Sequence, residues 1–191
     1  ASLKLGQYHC FNRGDSPAML RLALQAQHAA ADVPYLHGML AFGWEQCHRL
    51  KEAEAAARHA IHLCHKEPWA HHAIAHVTLT QGRIDEGLAF MQDVAPTWTG
   101  LNSFMVTHNW WHLALFMIDL DRLDEALALF DTHVWGVWKE FSEDQINAIS
   151  LLARLELRMP ARVTASRTST SAWSSTPWPR PFARSAPVAS M

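Results

Sequence analysis

Thr107 to Phe130 reads THNWWHLALFMIDLDRLDEALALF, and this stretch decides the fold. Trp110, Leu113, Ala114 and Met117 recur at three- and four-residue spacing, which puts them on one face of a helix. Ala126 and Phe130 share a face of a second helix. Between them Asp119-Leu-Asp-Arg-Leu123 is short and polar, as a turn should be. Small residues at Ala114 and Ala126 let the two helices approach closely. The stretch therefore predicts an antiparallel helix pair.

The same frame recurs upstream. Ala126 corresponds to Gly87 and Ala53, and the last two are 34 residues apart. Leu113 and Ala114 correspond to Ile74 and Ala75, and to Leu40 and Ala41; Arg83-Ile-Asp-Glu-Gly-Leu88 matches Arg122-Leu-Asp-Glu-Ala-Leu127. Pro34 and Pro68 each open a first helix, where a missing N–H costs little. The step from Gly87 to Ala126 is 39 residues, so about five are inserted, expected within Asp93–Phe104 beside Pro96 and Gly100. The period and the pattern W-x2-L-A-x2-M…A-x3-F resemble the tetratricopeptide repeat. That resemblance implies an all-α fold, a stack of antiparallel helix pairs forming an α-solenoid.

Composition agrees. The 191 residues suffice for one domain or a short repeat array, and Ala, Leu, His and Trp dominate over β-branched residues. A net charge of −2 implies no nucleic-acid or membrane-surface partner. No apolar run reaches the roughly 18 residues of a transmembrane helix. Cys10, Cys47 and Cys64 show no CxxC spacing, which suggests reduced thiols and a cytoplasmic setting. The start shows no signal peptide and no initiating Met, so it is not expected to be the natural N-terminus.

In order, Asp15-Ser16-Pro17 starts a helix running to about Ala31, the second half of a unit whose first half lies in Leu3–Phe11. Pro34–Arg49 with Lys51–His65, Pro68–Gln81 with Ile84–Gln92, and Asn102–Leu120 with Leu123–Phe130 make three clear units. Ser142-x-x-Gln145 reads as a capping box opening a helix to about Arg158, with Ile146, Ile149, Leu152 and Ala153 on a partly uncovered face. Residues 1–159 thus form the repeat domain, and residues 160–191 a tail without Asp, Glu or Lys, rich in Ser, Thr, Pro, Ala and Arg. The tail reads either as disordered or as an out-of-frame translation, and carries no functional assignment. Neither end looks like a polar cap, which allows oligomerisation through the ends.

Trp69-Ala-His-His-Ala-Ile-Ala-His-Val77, Gln81-Gly-Arg and His108-Asn-Trp-Trp-His-Leu-Ala-Leu115 resemble the bacterial relatives of tetratricopeptide repeat protein 38, as do Tyr35-Leu-His-Gly-Met-Leu-Ala-Phe-Gly43 and Leu129-Phe-Asp131. The resemblance covers roughly Leu20–Met159. Members of that family are longer, so the chain resembles an internal fragment with a foreign tail. The resemblance implies a helical repeat fold and no established reaction.

Thirteen histidines is a high count for this length, and two pairs stand out. His72 and His76, and His108 and His112, each lie four apart on a first helix. An H-x3-H pair presents both rings on one face and can chelate one ion, and two pairs on neighbouring helices complete a tetrahedral zinc or other divalent-metal site. In tetratricopeptide arrays positions 2, 5, 9 and 12 of first helices line the concave groove. The resemblance therefore implies that His72, His76 and His108 face one another there, with Phe42, Gly38, Trp111 and Glu45, and leaves the direction of His112 open.

Three roles remain for the histidines: structural or peptide contacts, a small-ligand pocket, or a metal site. His59, His62 and His65 are expected on a solvated face, Trp110 in the core, and Trp135 with Trp138 against the following loop. The absence of H-E-x-x-H, G-x-S-x-G and a Walker loop removes the usual hydrolase and nucleotide signatures. The leading expectation is binding of a peptide, protein or small ligand on a His- and Trp-lined face, through Phe42, His72, His76, His108 and Trp111. The alternative is a zinc-dependent hydrolase of esters, lactones or amides, with His76, His108 and Glu45 as candidate catalytic groups.

Overall fold

The computed structural model describes residues 2–159 apart from 102, 136 and 138. The expected tail at 160–191 and Trp138 lie outside the described residues. Those residues form α1 (Ser2–Asn12), α2 (Ser16–Gln27), α3 (Pro34–Gln46), α4 (Leu50–Leu63), α5 (Pro68–Thr80), α6 (Ile84–Val94), α7 (Ser103–Asp119), α8 (Leu123–Leu129) and α9 (Ser142–Arg158). Short 3-10 (Ala95–Thr97) and π (Phe130–Val134) turns follow α6 and α8. Consecutive helices pair, and odd-numbered first helices also pack on one another, α3 on α5, α5 on α7 and α7 on α9.

Every first helix hands over to its second helix in the same way. Gly14, His48, Gly82 and Asp121 have φ of 70, 55, 69 and 59°, the left-handed conformation that stops a helix. The next residue's N–H then reaches back to a carbonyl in the last turn: Asp15 to Cys10, Arg49 to Trp44, Arg83 to Thr78 and Arg122 to Met117, at 2.8–2.9 Å. The four left-handed residues follow the repeat frame at steps of 34, 34 and 39. After the turn, Arg49, Arg83 and Arg122 each pair with an acidic residue three positions on, Glu52, Glu86 and Glu125.

Most helix boundaries match the pattern, and the misses have local causes. The helix from Ser16 stops at Gln27 instead of Ala31, while Asp15 caps it as expected, accepting from the Ala18 N–H at 3.0 Å. The capping box at Ser142 does not form: Ser142 Oγ donates to Glu143 Oε2 (2.7 Å) and Gln145 Nε2 donates to the Lys139 carbonyl (2.8 Å). Phe141 takes the cap position. On α9, Ile146, Ile149 and Leu157 are exposed, but Leu152 is buried with Leu151 and Leu155 in the core. The open face is narrower than the pattern suggested because the helix is rolled toward α7.

The inserted residues between α6 and α7 close the core. Trp98, 2% exposed, donates its indole N–H to His71 Nδ1 at 3.0 Å, and His71 Nε2–H donates to the His65 carbonyl at 2.8 Å. His71 is thereby held neutral, and burial pushes its pKa down to about 4. Among the described residues no helix is long and apolar enough to cross a membrane.

Gly87 marks the tightest approach. A Cβ there would lie 2.2 Å from Phe116 Cε1 and 2.6 Å from Thr78 Oγ1, and both of those side chains are fully buried. Gly87→Ala should destabilise the fold by about 1–3 kcal/mol through overpacking. Urea denaturation at neutral pH checks this, and an unchanged midpoint would mean that α6 and α7 have room to part.

Outside the core, Glu54 ties α4 to α6. It takes two bonds from Arg83 (2.7 and 3.1 Å) and bonds from Arg58 (2.9 and 2.6 Å). Arg83 first, and then Arg58, hold its carboxyl down to about 2. A carboxyl whose folded pKa is depressed adds stability above its unfolded value, and that stability is lost as pH falls toward the folded one. Half-exposed Arg58 weakens the network by solvent screening, so Glu54→Gln should cost about 1 kcal/mol at pH 7. The gap between variant and parent should shrink between the ordinary carboxyl range and about pH 2, read from urea midpoints across that range. A gap independent of pH would show that the network contributes nothing.

Candidate functional site

The first helices line one cavity of about 400 Å³. Tyr8, Phe42, His76 and Leu115, one from each of α1, α3, α5 and α7, all reach it. Their spacings of 34, 34 and 39 are again the repeat frame, so one register position supplies a row of wall residues.

α5 is positioned from both ends. Pro68 opens it, and the buried carboxylate of Glu67 accepts from the Trp69 N–H at 3.1 Å. Burial pushes the Glu67 pKa up. A Cβ at Gly38 would lie 3.1 Å from Glu67 Oε1 and 3.2 Å from Trp69 Cβ, so the bare backbone of Gly38 lets α3 sit against this start. Gly38 serves helix packing and does not line the cavity, contrary to its expected place on the groove surface.

Two turns of α5 and two of α7 then present their rings to one another. His72 Nε2 lies 3.0 Å from His76 Nε2 and 3.1 Å from His108 Nε2, and His108 Nε2 lies 3.2 Å from His112 Nε2. One nitrogen from each of the four rings falls within 4.8 Å of all the others. His112, whose direction the sequence left open, joins the group. The offset between helices explains the register: His72 and His76 stand one turn further along α5 than His108 and His112 stand along α7, relative to the repeat frame.

Groups behind the rings fix two of them. His76 Nδ1–H donates to Glu45 Oε1 at 3.1 Å, while Gln46 Nε2 donates to Glu45 Oε2 at 2.8 Å. His108 Nδ1–H donates to Asn147 Oδ1 at 3.1 Å. These bonds turn both Nε2 atoms toward the other rings. Glu45, expected as a base or third ligand, stands behind His76 and orients it. Phe104 and Trp111 stack on either side of His108, with centroids 4.9 and 5.4 Å away and interplanar angles of 15 and 7°. Trp111 is itself held by Ser150, which accepts its indole N–H at 2.9 Å.

His72 and His112 are 4 and 3% exposed. Burial first, and then the neighbouring imidazoles, push both well below the usual histidine range. Burial likewise lowers His108 to about 4, against the raising effect of its bond to Asn147. His72, His108 and His112 are thus neutral at neutral pH.

The expected ligand-binding set, Phe42, His72, His76, His108 and Trp111, is brought together on this cavity. His59, His62 and His65 are exposed, as their second-helix face predicted. The sequence reading missed Tyr8 and Phe11, although carrying the 34-residue frame back from Phe42 and Glu45 finds both. It also missed Asn147 and Ser150, because α9 was given no register against the histidines.

No family model matches the chain. Solved structures do. A thermophilic TPR protein of Thermus thermophilus, TTC0263, superposes with a TM-score of 0.62 at 13% identity, over 87% of this chain and 95% of that one. MamA (41-end) of Desulfovibrio magneticus RS-1 superposes with a TM-score of 0.55 at 12% identity, over 90% of this chain and 92% of that one. At such identities the likeness establishes the fold, a TPR-like α-solenoid, and nothing about ligands.

Proposed function

We propose that the protein is a binding module whose concave cavity takes a compact, mainly apolar group, either the anchoring side chain of a peptide or a free small molecule. The cavity carries the reading: about 400 Å³, walled by aromatic residues of successive first helices, with imidazoles as convergent polar groups. Solenoids of this type commonly recruit partners through the concave surface. Tyr8 and Phe11 of α1 narrow the groove here, which favours one bulky anchor over an extended strand. Trp69-Ala-His-His and His108-Asn-Trp-Trp-His support kinship with the bacterial relatives of tetratricopeptide repeat protein 38. The three separated free thiols suit a cytoplasmic setting.

The test is a saturation-transfer NMR screen of apolar fragments, run beside a peptide library with single aromatic or leucine anchors. Hits from either arm should weaken at least about tenfold in Leu79→Trp, which narrows the rim, and in Trp111→Ala. Preference for one arm identifies the source of the group. Binding unaffected by both substitutions, or no hit in either arm, would overturn the proposal.

A further inference from the structure

We infer that His72, His76, His108 and His112 form a binding site for a late first-row divalent transition metal of the zinc, cobalt or nickel class, held through their Nε2 atoms at the floor of the cavity. Nitrogens about 2.0–2.1 Å from one tetrahedral ion stand about 3.3 Å apart. Three of the six separations, 3.0, 3.1 and 3.2 Å along His76–His72–His108–His112, are close to that edge, and all lie within 4.8 Å, so small side-chain shifts would close the tetrahedron. The donor set is all imidazole, which suits these ions and not calcium or magnesium, which require oxygen. Neither Glu45 nor a cysteine thiol belongs to the convergent group.

Two further observations point the same way. Glu45 and Asn147 accept from the far ring nitrogens of His76 and His108 and turn the near nitrogens toward the cluster, the arrangement by which proteins orient metal-binding imidazoles. Among the described residues the near nitrogens of the four rings meet no protein acceptor except one another. Without an ion, the cluster must be held by protons on the near nitrogens of His72 and His112, donated to those of His76 and His108. Nδ1 of His72 and of His112 is buried with no partner among the described residues in either state, so it does not distinguish the two. A metal-free hydrogen-bonded quartet is the competing structure. The inference does not depend on what occupies the cavity above the ion.

The full chain, stripped with a chelator, should take up about one equivalent of Zn(II) by calorimetry and by elemental mass spectrometry. Co(II) should give the intense visible absorption of a tetrahedral nitrogen site. His76→Ala and His108→Ala should each abolish that absorption, and Glu45→Gln should weaken zinc binding about 10–100-fold, with helical circular dichroism unchanged. If a histidine variant fails to fold, the parent's cobalt spectrum still decides. Weak octahedral absorption indicates adventitious binding by exposed His59, His62 or His65 and overturns the inference. So does the absence of uptake by the folded, stripped chain, or uptake unchanged in both histidine variants.

Discussion

How near α7 comes to α5 governs the concave face, and the contact at Gly87, made by Phe116 one turn beyond His112 on α7, helps to set it. There Phe116 of α7 lies where a side chain at position 87 would be, against the bare backbone of α6 and beside Thr78 of α5. Thr78 bonds its own helix through Oγ1 to the Ile74 carbonyl at 2.8 Å and so occupies little space. Phe116 therefore fills the space that the missing side chain at position 87 leaves open. At that spacing α5 and α7 bring the His72 and His108 Nε2 atoms to 3.1 Å from each other. A wider spacing would leave two separate histidine pairs on two helices.

The insertion before α7 has a second consequence for the same face. A strict 34-residue step would keep α7 in the register of α5; the additional residues carry a 3-10 turn and Trp98 into the core instead. Trp98 satisfies His71, the neighbour of His72 that points away from the cavity. Adjacent histidines on α5 thus serve opposite sides: His71 is locked by an indole and a carbonyl, and His72 meets three other imidazoles. Sequence proximity alone would have grouped the two.

Much of the fold was legible because the repeat encodes each contact several times. Ala53, Gly87 and Ala126 signal close packing, and Pro34 and Pro68 signal helix starts. The left-handed positions were less readable, since His48 and Asp121 stand where Gly14 and Gly82 show the usual residue. The pairing of the histidines could be guessed from their i, i+4 spacing. The repeat frame also implied that His72, His76 and His108 face one another; that His112 joins them depends on the offset between neighbouring helices, which about five inserted residues alter. Glu45 was placed on the correct helix turn, but its role turned on whether its carboxylate faced the cavity or the back of His76. Only the bond to His76 Nδ1 distinguishes these. Asn147 and Ser150 belong to a helix whose register has no repeated partner in the frame, so nothing local marked them.

Neutral imidazoles are the polar groups that such a cavity tolerates. A carboxylate at the same depth would be strongly desolvated unless paired, and a lysine would lose its proton or recruit a counter-ion. Glu45 and Glu67 show the pattern: each buried carboxylate is turned away from the open volume and bonded, one to a ring N–H and one to a helix N-terminus. The cavity thus combines an apolar wall with a floor of imidazoles whose near nitrogens face one another. A guest that is apolar throughout would leave that floor unused. One with a hydrogen-bonding group at its end would use both, although the histidines of α5 and of α7 stand at different positions of the repeat frame.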